Sequence, residues 1–276
     1  MSNIKLLTYN VWWYCTSGKK GPACPIGVAK TIQNNGPYDF INLQEASSYA
    51  DLHDHAPLLE SMEHVAIKEK EQLVTYYDGS KYTLKNQFSG DLDGNGHPYL
   101  VLVFNEGIVL LNVHPGHGGY QNTMKQIESI FTKHQLHTLY PNHRFIMSGD
   151  FNTPMRDNSY VFDSVNMYIS DQLESCCIPD MNSGPAVTDQ DIKDFPPYSK
   201  KYDHIFDTHS KPTNYIPQIV RPAADHAPVV GLLGTSSFKS SAIPSDALEV
   251  GGESVGLFWF IILAFVFFLF ALVLFL

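Results

Sequence analysis

Basic residues are scarce in this sequence. It has 18 lysines and arginines against 28 aspartates and glutamates, which gives a formal net charge of −10. Proteins that bind nucleic acid tightly and without sequence preference use lysine and arginine to replace counterions. This charge balance therefore argues against a sequence-independent nucleic-acid-binding protein. It does not exclude a nuclease, because a divalent metal ion can offset the field at one site. Only Arg144, Arg156 and Arg221 are candidates to clamp a phosphate with two hydrogen bonds.

Cysteine is also infrequent. The four cysteines are Cys15, Cys24, Cys176 and Cys177, and no two of them are spaced as Cys-x-x-Cys. This pattern favours free, buried thiols in a reducing compartment over disulfides or a zinc site.

The N-terminus has no signal-peptide pattern. It lacks a basic stretch followed by an apolar core and a small-residue cleavage site, and residues 4–11 predict a first β-strand there instead.

One long stretch carries no charge at all. Every residue from Gly256 to Leu276 is apolar, and roughly 20 such residues span a bilayer as a helix. We therefore expect a globular domain at 1–234, a flexible linker rich in serine, glycine and acidic residues at 235–255, and a transmembrane helix at 256–276. Without a signal peptide, insertion would follow translation. The expected product is a single-pass, tail-anchored membrane protein with its globular domain in the cytosol.

Apolar runs in the globular part predict strands that are buried on both faces. The runs lie at residues 4–12, 39–45, 73–77, 99–104, 108–113, 145–147 and 201–206, and a turn within 224–233 leads into a last strand. Residues 25–35 predict a short helix that ends at a glycine, and apolar side chains recur at helical spacing over 121–140. The intervening segments 80–98 and 158–198 are expected to be loops that determine specificity.

A Gly-Asp turn follows the run at 145–147. Ser148 and Gly149 interrupt that run, and Asp150 and Asn152 come next, at the carboxyl end of the strand where sites in layered α/β folds gather. A carboxylate can take a proton from water, and an amide two residues later can orient the water without competing for that proton. Taken alone, the pattern is also typical of an ordinary turn, because Asp and Asn are common turn residues.

Other predicted strand ends carry polar side chains of the same kind. With Asp150 and Asn152, the set comprises Asn10, Glu45, His114, Asp203, Asp225 and His226. Their local sequences are Tyr-Asn-Val-Trp, Leu-Gln-Glu, Asn-Val-His, Gly-Asp-Phe-Asn, Tyr-Asp-His-Ile and Asp-His-Ala-Pro-Val, in chain order. Together these six motifs resemble the motif series of the DNase-I-like endonuclease/exonuclease/phosphatase superfamily, from Leu6 to Leu233, which is nearly all of the globular part.

The resemblance implies a fold and a metal. The fold would be an α/β (α+β) four-layer α/β/β/α sandwich of two packed, mainly antiparallel mixed sheets, with the site at one end. Glu45 would bind Mg²⁺, with Asn10 and Asp225 close to that metal and Mn²⁺ as an alternative occupant. This agrees with the chemistry of Mg²⁺, which prefers oxygen ligands and keeps several waters, so that one or two carboxylates suffice.

The resemblance also implies catalytic roles. Asp150 would deprotonate or position the attacking water, and Asn152 would orient it. His226 would hydrogen-bond a phosphoryl oxygen, with Asp203 fixing its tautomer. His114 matches the second histidine of the nuclease and sphingomyelinase branches, which assists the leaving group or the phosphate. The sequence does not identify an acidic partner for His114.

Three functions stay open at this point. The first is a membrane-tethered, Mg²⁺-dependent phosphodiesterase acting on nucleic acid or on a sphingolipid or phospholipid headgroup. The second is a phosphomonoesterase acting on an inositol phosphate or a nucleotide, although the arginine and Tyr-Arg signatures of inositol phosphatases are absent from the motifs. The third is an inactive membrane adaptor, which the complete set of polar residues disfavours. The expected partners are a lipid bilayer and the phosphodiester substrate, and no protein partner is inferred.

Overall fold

The computed structural model describes residues 3–67, 72–177 and 198–235. The chain divides into two compact units, Met1–Ser236 and Ser237–Leu276, and the described residues all belong to the first. The predicted transmembrane helix at 256–276 and the predicted linker after residue 235 lie outside the described residues. Within the three described ranges, no helix combines the length and the apolar character needed to cross a bilayer.

Six strands form the first sheet. They are β1 (Ile4–Asn10), β2 (Phe40–Gln44), β3 (Glu63–Ile67), β4 (Leu73–Tyr77), β12 (Thr213–Tyr215) and β13 (Val229–Leu233). Their order across the sheet is β12-β13-β1-β2-β4-β3. Strands β1 and β2 are parallel, and the other neighbouring pairs are antiparallel.

Seven strands form the second sheet. They are β5 (Leu84–Asp91), β6 (Pro98–Phe104), β7 (Ile108–Val113), β8 (Arg144–Asp150), β9 (Ser159–Phe162), β10 (Val165–Ile169) and β11 (Asp203–Asp207). The order is β5-β6-β7-β8-β11-β10-β9, with only β7 and β8 parallel. The prediction of two mixed, mainly antiparallel sheets is therefore confirmed.

The alternation of side chains along each strand explains how the two sheets pack. In β6, Leu100 and Leu102 join Leu6 of β1 in the apolar layer between the sheets. The intervening Val101 and Val103 belong to a separate cluster on the outer face of the second sheet. Because both faces of a central strand are buried, its sequence is a continuous apolar run rather than an alternating one.

Helices cover the outer face of each sheet. The first sheet carries α1 (Trp13–Thr16), α2 (Ala23–Asn35), a 3₁₀ helix (Tyr49–His55) and α3 (Pro57–Glu60), and the second carries α4 (Tyr120–Lys133) and α5 (Leu136–Leu139). Val28 of α2 packs in one cluster with Tyr9 of β1. Ile127 and Phe131 of α4 pack with Leu111 of β7. The layers therefore follow the order helix, sheet, sheet, helix.

Two predicted elements differ from the structure. The helix predicted at 121–140 stops at Lys133, because Gln135 has a left-handed φ of 50° and a separate short helix follows it. The segments predicted as loops contain strands β5, β9 and β10. Strands β9 and β10 alternate buried with exposed residues, so they lack the continuous apolar run that marks the central strands.

The prediction of free thiols is wrong. Cys15 of α1 and Cys24 of α2 form a disulfide, because the turn between these two helices brings their Cα atoms to 5.4 Å. The adjacent Cys176 and Cys177 are joined as well. None of the four cysteines, all of which belong to the described part of the chain, is free. Sequence spacing alone does not reveal the chain reversal that pairs Cys15 with Cys24.

Candidate active site

All eight predicted site residues lie at one end of the sandwich, and the parallel strand pairs explain why. In the first sheet Asn10 aligns with Gln44, so Glu45 follows beside Asn10. The same reasoning applies to the second sheet, where Val113 at the end of β7 aligns with Gly149 of β8. The residues that follow these strand ends are therefore neighbours in space.

In the second sheet, the strand ends place two acidic residues and a histidine together. His114 and Asp150 directly follow the aligned pair at the ends of β7 and β8, and Asp203 pairs with Asp150 across the antiparallel strands β8 and β11. Gly149 permits this close approach, since a Cβ there would overlap the carbonyl oxygen of Val113.

Asp150 contacts both histidines and both asparagines of the site. Its Oδ2 atom accepts a hydrogen bond from Nδ2 of Asn10 at 3.0 Å and lies 3.5 Å from Nε2 of both His114 and His226. Its Oδ1 atom accepts the backbone N–H of Asn152 at 2.8 Å. Burial raises the pKa of Asp150, but the charge of His226 and the hydrogen bond with His114 outweigh burial and hold this pKa well below its usual range. The carboxylate is therefore ionised at neutral pH.

Asn10 holds two carboxylates together. Its Nδ2 atom donates to Oε1 of Glu45 at 2.9 Å as well as to Asp150, while its Oδ1 atom accepts the backbone N–H of Trp12 at 2.9 Å. The second oxygen of Glu45 accepts the backbone N–H of Trp13 at 2.8 Å. The Asn10 amide thus presents its nitrogen to the site, and the carboxylates present the oxygens.

A buried charge pair fixes His226. Its Nδ1 atom lies 3.0 Å from Oδ2 of Asp203, and Oγ of Ser175 donates to that same oxygen at 2.6 Å. Burial lowers the pKa of His226, but the carboxylates of Asp203 and Asp150 raise it to about 10. Both ring nitrogens face a carboxylate, so the imidazole is doubly protonated and can donate on both sides.

The oxygens of the site fit a divalent cation. Asp225 is buried, and its Oδ1 atom has no hydrogen-bond partner among the described residues. Burial raises the pKa of Asp225 to about 7, with Glu45 and Asp150 adding to the effect and His226 opposing it. A buried carboxylate oxygen without a donor, close to other carboxylates, is the environment that a hard cation such as Mg²⁺ stabilises.

His114 has two acidic neighbours that the sequence did not identify. Its Nε2 atom lies 3.5 Å from Oδ2 of Asp150 and 3.8 Å from Oε1 of Glu45. The side-chain nitrogen of Asn152 lies 3.3 Å from the same Nε2 atom and donates to the carbonyl oxygen of Pro115 at 3.0 Å. Asn152 therefore bridges the two loops that follow β7 and β8.

Three residues at the site have a left-handed backbone conformation. Trp12, Glu45 and Asn152 have φ angles of 59°, 55° and 52°, in the left-handed region that residues other than glycine rarely adopt. Such conformations cost free energy and persist where the surrounding structure over-determines them, which is common at active sites. Each of the three lies one or two residues after the end of a strand: Trp12 after β1, Glu45 after β2 and Asn152 after β8.

A layer of buried polar side chains lies between the sheets, directly beneath the site. Nε2 of Gln44 donates to Oδ1 of Asn112 at 2.8 Å, and Nδ2 of Asn42 donates to Oγ of Ser148 at 2.8 Å. Thr75 donates to Asn42 at 2.7 Å and accepts from Asn112 at 3.3 Å. These hydrogen bonds join β2 and β4 to β7 and β8, so they set how the strand ends of one sheet face those of the other.

The prediction that Arg144 could clamp a phosphate is wrong. Its Nε and Nη2 atoms donate to the two carboxylate oxygens of Asp207 at 2.9 and 2.6 Å, and the pair is buried. Arg144 begins the strand that ends at Asp150, so it lies at the opposite end of the sheet. Arg156 and Arg221 each lie over an aromatic ring.

Two contributors to the site were missed by sequence reasoning. Ser175, which donates to Asp203, lies in the segment 158–198 that shows no periodic pattern, and only the adjacent cysteine pair marks its position. Trp13 binds Glu45 through its backbone N–H, which has no residue-type signature.

A curated viral protein is similar in sequence to most of this chain. The protein, uncharacterized protein L684 of Acanthamoeba polyphaga mimivirus, is 26% identical over 261 residues, and the match covers 83% of this chain and 50% of the viral protein. This chain therefore spans about half the length of that curated relative.

Solved structures share the architecture at low identity. TDP2 from C. elegans has a TM-score of 0.59 and 13% identity, with 84% of this chain and 75% of that chain covered. The mannosyl-6-phosphatase Bt3783 of Bacteroides thetaiotaomicron has a TM-score of 0.58 and 15% identity, with 83% and 99% covered. The catalytic domain of human nocturnin, with a bound sulfate anion, has a TM-score of 0.57 and 16% identity, with 85% and 94% covered.

The family assignment rests on the sequence as well as the fold. The sequence model described as the Endonuclease/Exonuclease/phosphatase family matches residues 7–246, a range that includes all eight site residues. The chain belongs to the endonuclease/exonuclease/phosphatase family and has the fold of its phosphoric ester hydrolases.

Proposed function

We propose that this chain is a Mg²⁺-dependent phosphodiesterase, with Mn²⁺ as an alternative cation. One observation carries the proposal: Nε2 atoms of His114 and His226 both lie 3.5 Å from Oδ2 of Asp150, in a site that also holds Glu45 and Asp225. Such a site offers oxygen ligands to a hard cation and N–H donors to a phosphoryl group.

Glu45 and Asp225 are the residues that would hold Mg²⁺, with Asn10 fixing the position of Glu45. When bound, Mg²⁺ offsets the negative charge that develops on the phosphoryl oxygens. The unpaired oxygen of Asp225 and the two neighbouring carboxylates, Glu45 and Asp150, are the features that support this assignment.

Asp150 orients the attacking water. Its lowered pKa keeps it ionised, which favours accepting a hydrogen bond from water over storing a proton. Asn10 and the backbone of Asn152 hold the carboxylate from two directions, at 3.0 and 2.8 Å, so its orientation is set before substrate binds.

The two histidines have different roles in the proposed reaction. His226 donates from Nε2 to a phosphoryl oxygen, and Asp203 holds the ring through Nδ1 and stabilises its charge. His114, whose Nε2 atom lies 3.5 Å from Oδ2 of Asp150, donates a proton to the departing alkoxide, and the proton released by the attacking water passes by way of Asp150 to solvent. A diester of an unactivated alcohol needs such a donor, because an alkoxide is a poor leaving group.

A phosphomonoesterase is the second candidate. It is supported by the fold neighbour whose name is mannosyl-6-phosphatase, and the same residues could break the P–O bond of a monoester.

The net charge of −10 disfavours long nucleic acid as the diester substrate, relative to a lipid headgroup or a short oligonucleotide.

The experiment uses the full chain purified in detergent micelles with Mg²⁺. Substrates are plasmid DNA, sphingomyelin, a phosphoinositide and p-nitrophenyl phosphate. We expect hydrolysis of a diester, and a fall in kcat of about 10²–10⁴-fold in Asp150→Asn and His226→Gln. His137→Gln, on an exposed face of α5, is the matched control and should keep the full rate.

The outcomes separate the candidates. Hydrolysis of the monoester alone would replace the diesterase with a phosphomonoesterase. Absence of hydrolysis of every substrate, or equal rates in Asp150→Asn and the unmodified chain, would overturn the catalytic assignment and favour the adaptor.

We further propose that a helix at 256–276 tethers the domain to a membrane on its cytosolic side. The support is the uninterrupted apolar sequence of that segment. The full chain should stay in the membrane pellet after alkaline carbonate extraction, and Ala264→Arg with Ala271→Arg should release it. Recovery of the unmodified chain in the supernatant would contradict the tether.

A further inference from the structure

Two cysteines lie against the proposed phosphate-binding histidine. Sγ of Cys177 is 3.7 Å from Nε2 of His226, and the ligand atoms of Cys176, Cys177 and His226 all lie within 4.8 Å of one another. This Nε2 atom is the one that faces Asp150 at 3.5 Å. Neither sulfur has a role in the proposed hydrolysis.

The backbone holds the cysteines in this position from two sides. Cys176 forms an antiparallel bridge with Lys200. The carbonyl oxygen of the preceding Ser175 accepts the N–H of Ala227 at 2.7 Å. Ala227 directly follows His226, so the cysteine segment is bonded to the same turn that carries the histidine.

We propose that Cys176 and Cys177, once reduced, join His226 as ligands of a soft divalent cation such as Zn²⁺, and that this cation shuts the active site. Bonds of about 2.3 Å to sulfur and about 2.0 Å to nitrogen, at tetrahedral angles, place the two ligand atoms roughly 3.5 Å apart. The separation of 3.7 Å between Cys177 and His226 is close to that value. Thiolate and imidazole ligands select Zn²⁺, whereas the carboxylates beside them select Mg²⁺.

Reduction is the step that creates the site, because the structure joins the two sulfurs as a disulfide. A dithiol reductant supplies two electrons and two protons. Its own thiols become a disulfide, while the S–S bond between Cys176 and Cys177 breaks to give two thiols. Zn²⁺ then displaces one proton from each thiol and the proton on Nε2 of His226, and all three protons pass to solvent.

Zinc binding would block catalysis directly. A cation bound at Nε2 of His226 removes the N–H that would otherwise donate to a phosphoryl oxygen. This consequence rests on the proposed function, whereas the binding of the metal does not. The two parts can therefore be tested separately.

The first test measures zinc binding. The reduced full chain, in detergent micelles with excess Mg²⁺, competes for Zn²⁺ against a chromophoric chelator. We expect one tightly bound Zn²⁺, and an affinity at least about ten-fold weaker in Cys177→Ser. His226→Ala, which keeps both sulfurs, should show the same loss. With Co²⁺ in place of Zn²⁺, the unmodified chain should show a thiolate-to-metal absorption band that Cys177→Ser lacks.

Two matched variants control for other metal sites. Cys15→Ser with Cys24→Ser removes the second cysteine pair of the chain and should keep zinc binding. Glu45→Gln weakens the proposed Mg²⁺ site and should also keep it. Equal zinc affinity in the unmodified chain and in both Cys177→Ser and His226→Ala would overturn the proposal, as would loss of binding in the double serine variant.

The second test compares the rate with zinc to the rate without it, for each variant separately. We expect at least about ten-fold inhibition of the reduced chain and little inhibition of Cys177→Ser or of the oxidised chain. Zinc binding as described, combined with no hydrolysis of any substrate, would support the metal site and overturn only the proposed function. Equal inhibition of the unmodified chain and Cys177→Ser would overturn the blocking role.

Discussion

His226 is held between two carboxylates, and the closer of them is Asp203, whose Oδ2 atom lies 3.0 Å from Nδ1 of the imidazole. A neutral imidazole can donate from only one nitrogen, so a ring that faces a carboxylate on each side is favoured in its doubly protonated form. Asp203 therefore influences both the orientation of the ring and its charge. Ser175 donates to the same oxygen and fixes Asp203 in turn.

Replacing Asp203 with asparagine tests this relationship. The carboxylate of Asp203 raises the pKa of His226, so the histidine of Asp203→Asn should lose its proton at a lower pH. We expect kcat to fall by about 10²–10⁴-fold and the alkaline limb of the pH–rate profile to move to lower pH. Ser175→Ala should shift the limb less, because it leaves the charge in place. An unchanged alkaline limb in Asp203→Asn would contradict the assignment.

Asp225 should make the metal-free protein less stable as pH rises. Its pKa is 3.8 in an ordinary environment and about 7 in the fold, so the folded state binds a proton more tightly than the unfolded state does. The stabilising contribution of the group is complete below pH 3.8 and is lost as pH rises through 7. Asp225→Asn removes this pH dependence. At pH 8 with a chelator, it should raise the free energy of unfolding by roughly 2–4 kcal/mol.

Addition of Mg²⁺ at pH 8 should make the unmodified chain more stable to unfolding than Asp225→Asn. The cation stabilises a chain whose ligands are intact by binding the folded state alone, so the unmodified chain should gain melting temperature and Asp225→Asn should gain less. The measurement is chemical or thermal unfolding at pH 5 and pH 8, with and without Mg²⁺. A stability difference that does not grow between the two pH values would show that Asp225 is not buried as a charged group.

The central strands could be predicted from sequence because burial on both faces leaves a continuous apolar run. Residues 108–113, for example, match β7 without error. Strand β10 was missed because it alternates buried with exposed residues over only five positions. Strand β12 was missed because it is three residues long and lies at a sheet edge. Edge strands need little apolar sequence to pair, so their pattern is weak.

The site residues that can be predicted from sequence are those at the ends of apolar runs. Glu45 and Asp150 each follow or end an apolar run, so their place at a strand end can be inferred from sequence. Ser175 reaches Asp203 through a tertiary contact made by a segment with no periodicity. The partner of Arg144 is 63 residues away. Such contacts depend on strand order, which local sequence does not determine.

Arg144 should matter for stability and not for substrate binding. Removing one partner of a buried charge pair leaves the other uncompensated, so Arg144→Ala should lower the free energy of unfolding by about 3–5 kcal/mol. Arg144→Met with Asp207→Leu should recover most of that loss, because neither charge remains. Urea unfolding and KM for the substrate are the measurements. A raised KM without a loss of stability would instead indicate that Arg144 binds phosphate.

Gln44 should couple stability to catalysis through the buried polar layer. Gln44→Leu leaves Oδ1 of Asn112 without the donor that lies 2.8 Å away, which should cost about 1–3 kcal/mol. Gln44 precedes Glu45 and Asn112 lies two residues before His114, so we also expect kcat to fall at least about ten-fold as the two sheets lose their registration. Gln44→Leu with Asn112→Leu should recover only the part of the stability that was lost at Oδ1 of Asn112, because Nδ2 of Asn112 also donates to the carbonyl oxygens of Leu43 and Val74 at 3.1 and 3.2 Å, and it should not recover kcat. A double-mutant cycle measured by urea unfolding and by initial rates separates the two effects. If kcat returned together with stability, the polar layer would serve packing alone and would not position the site.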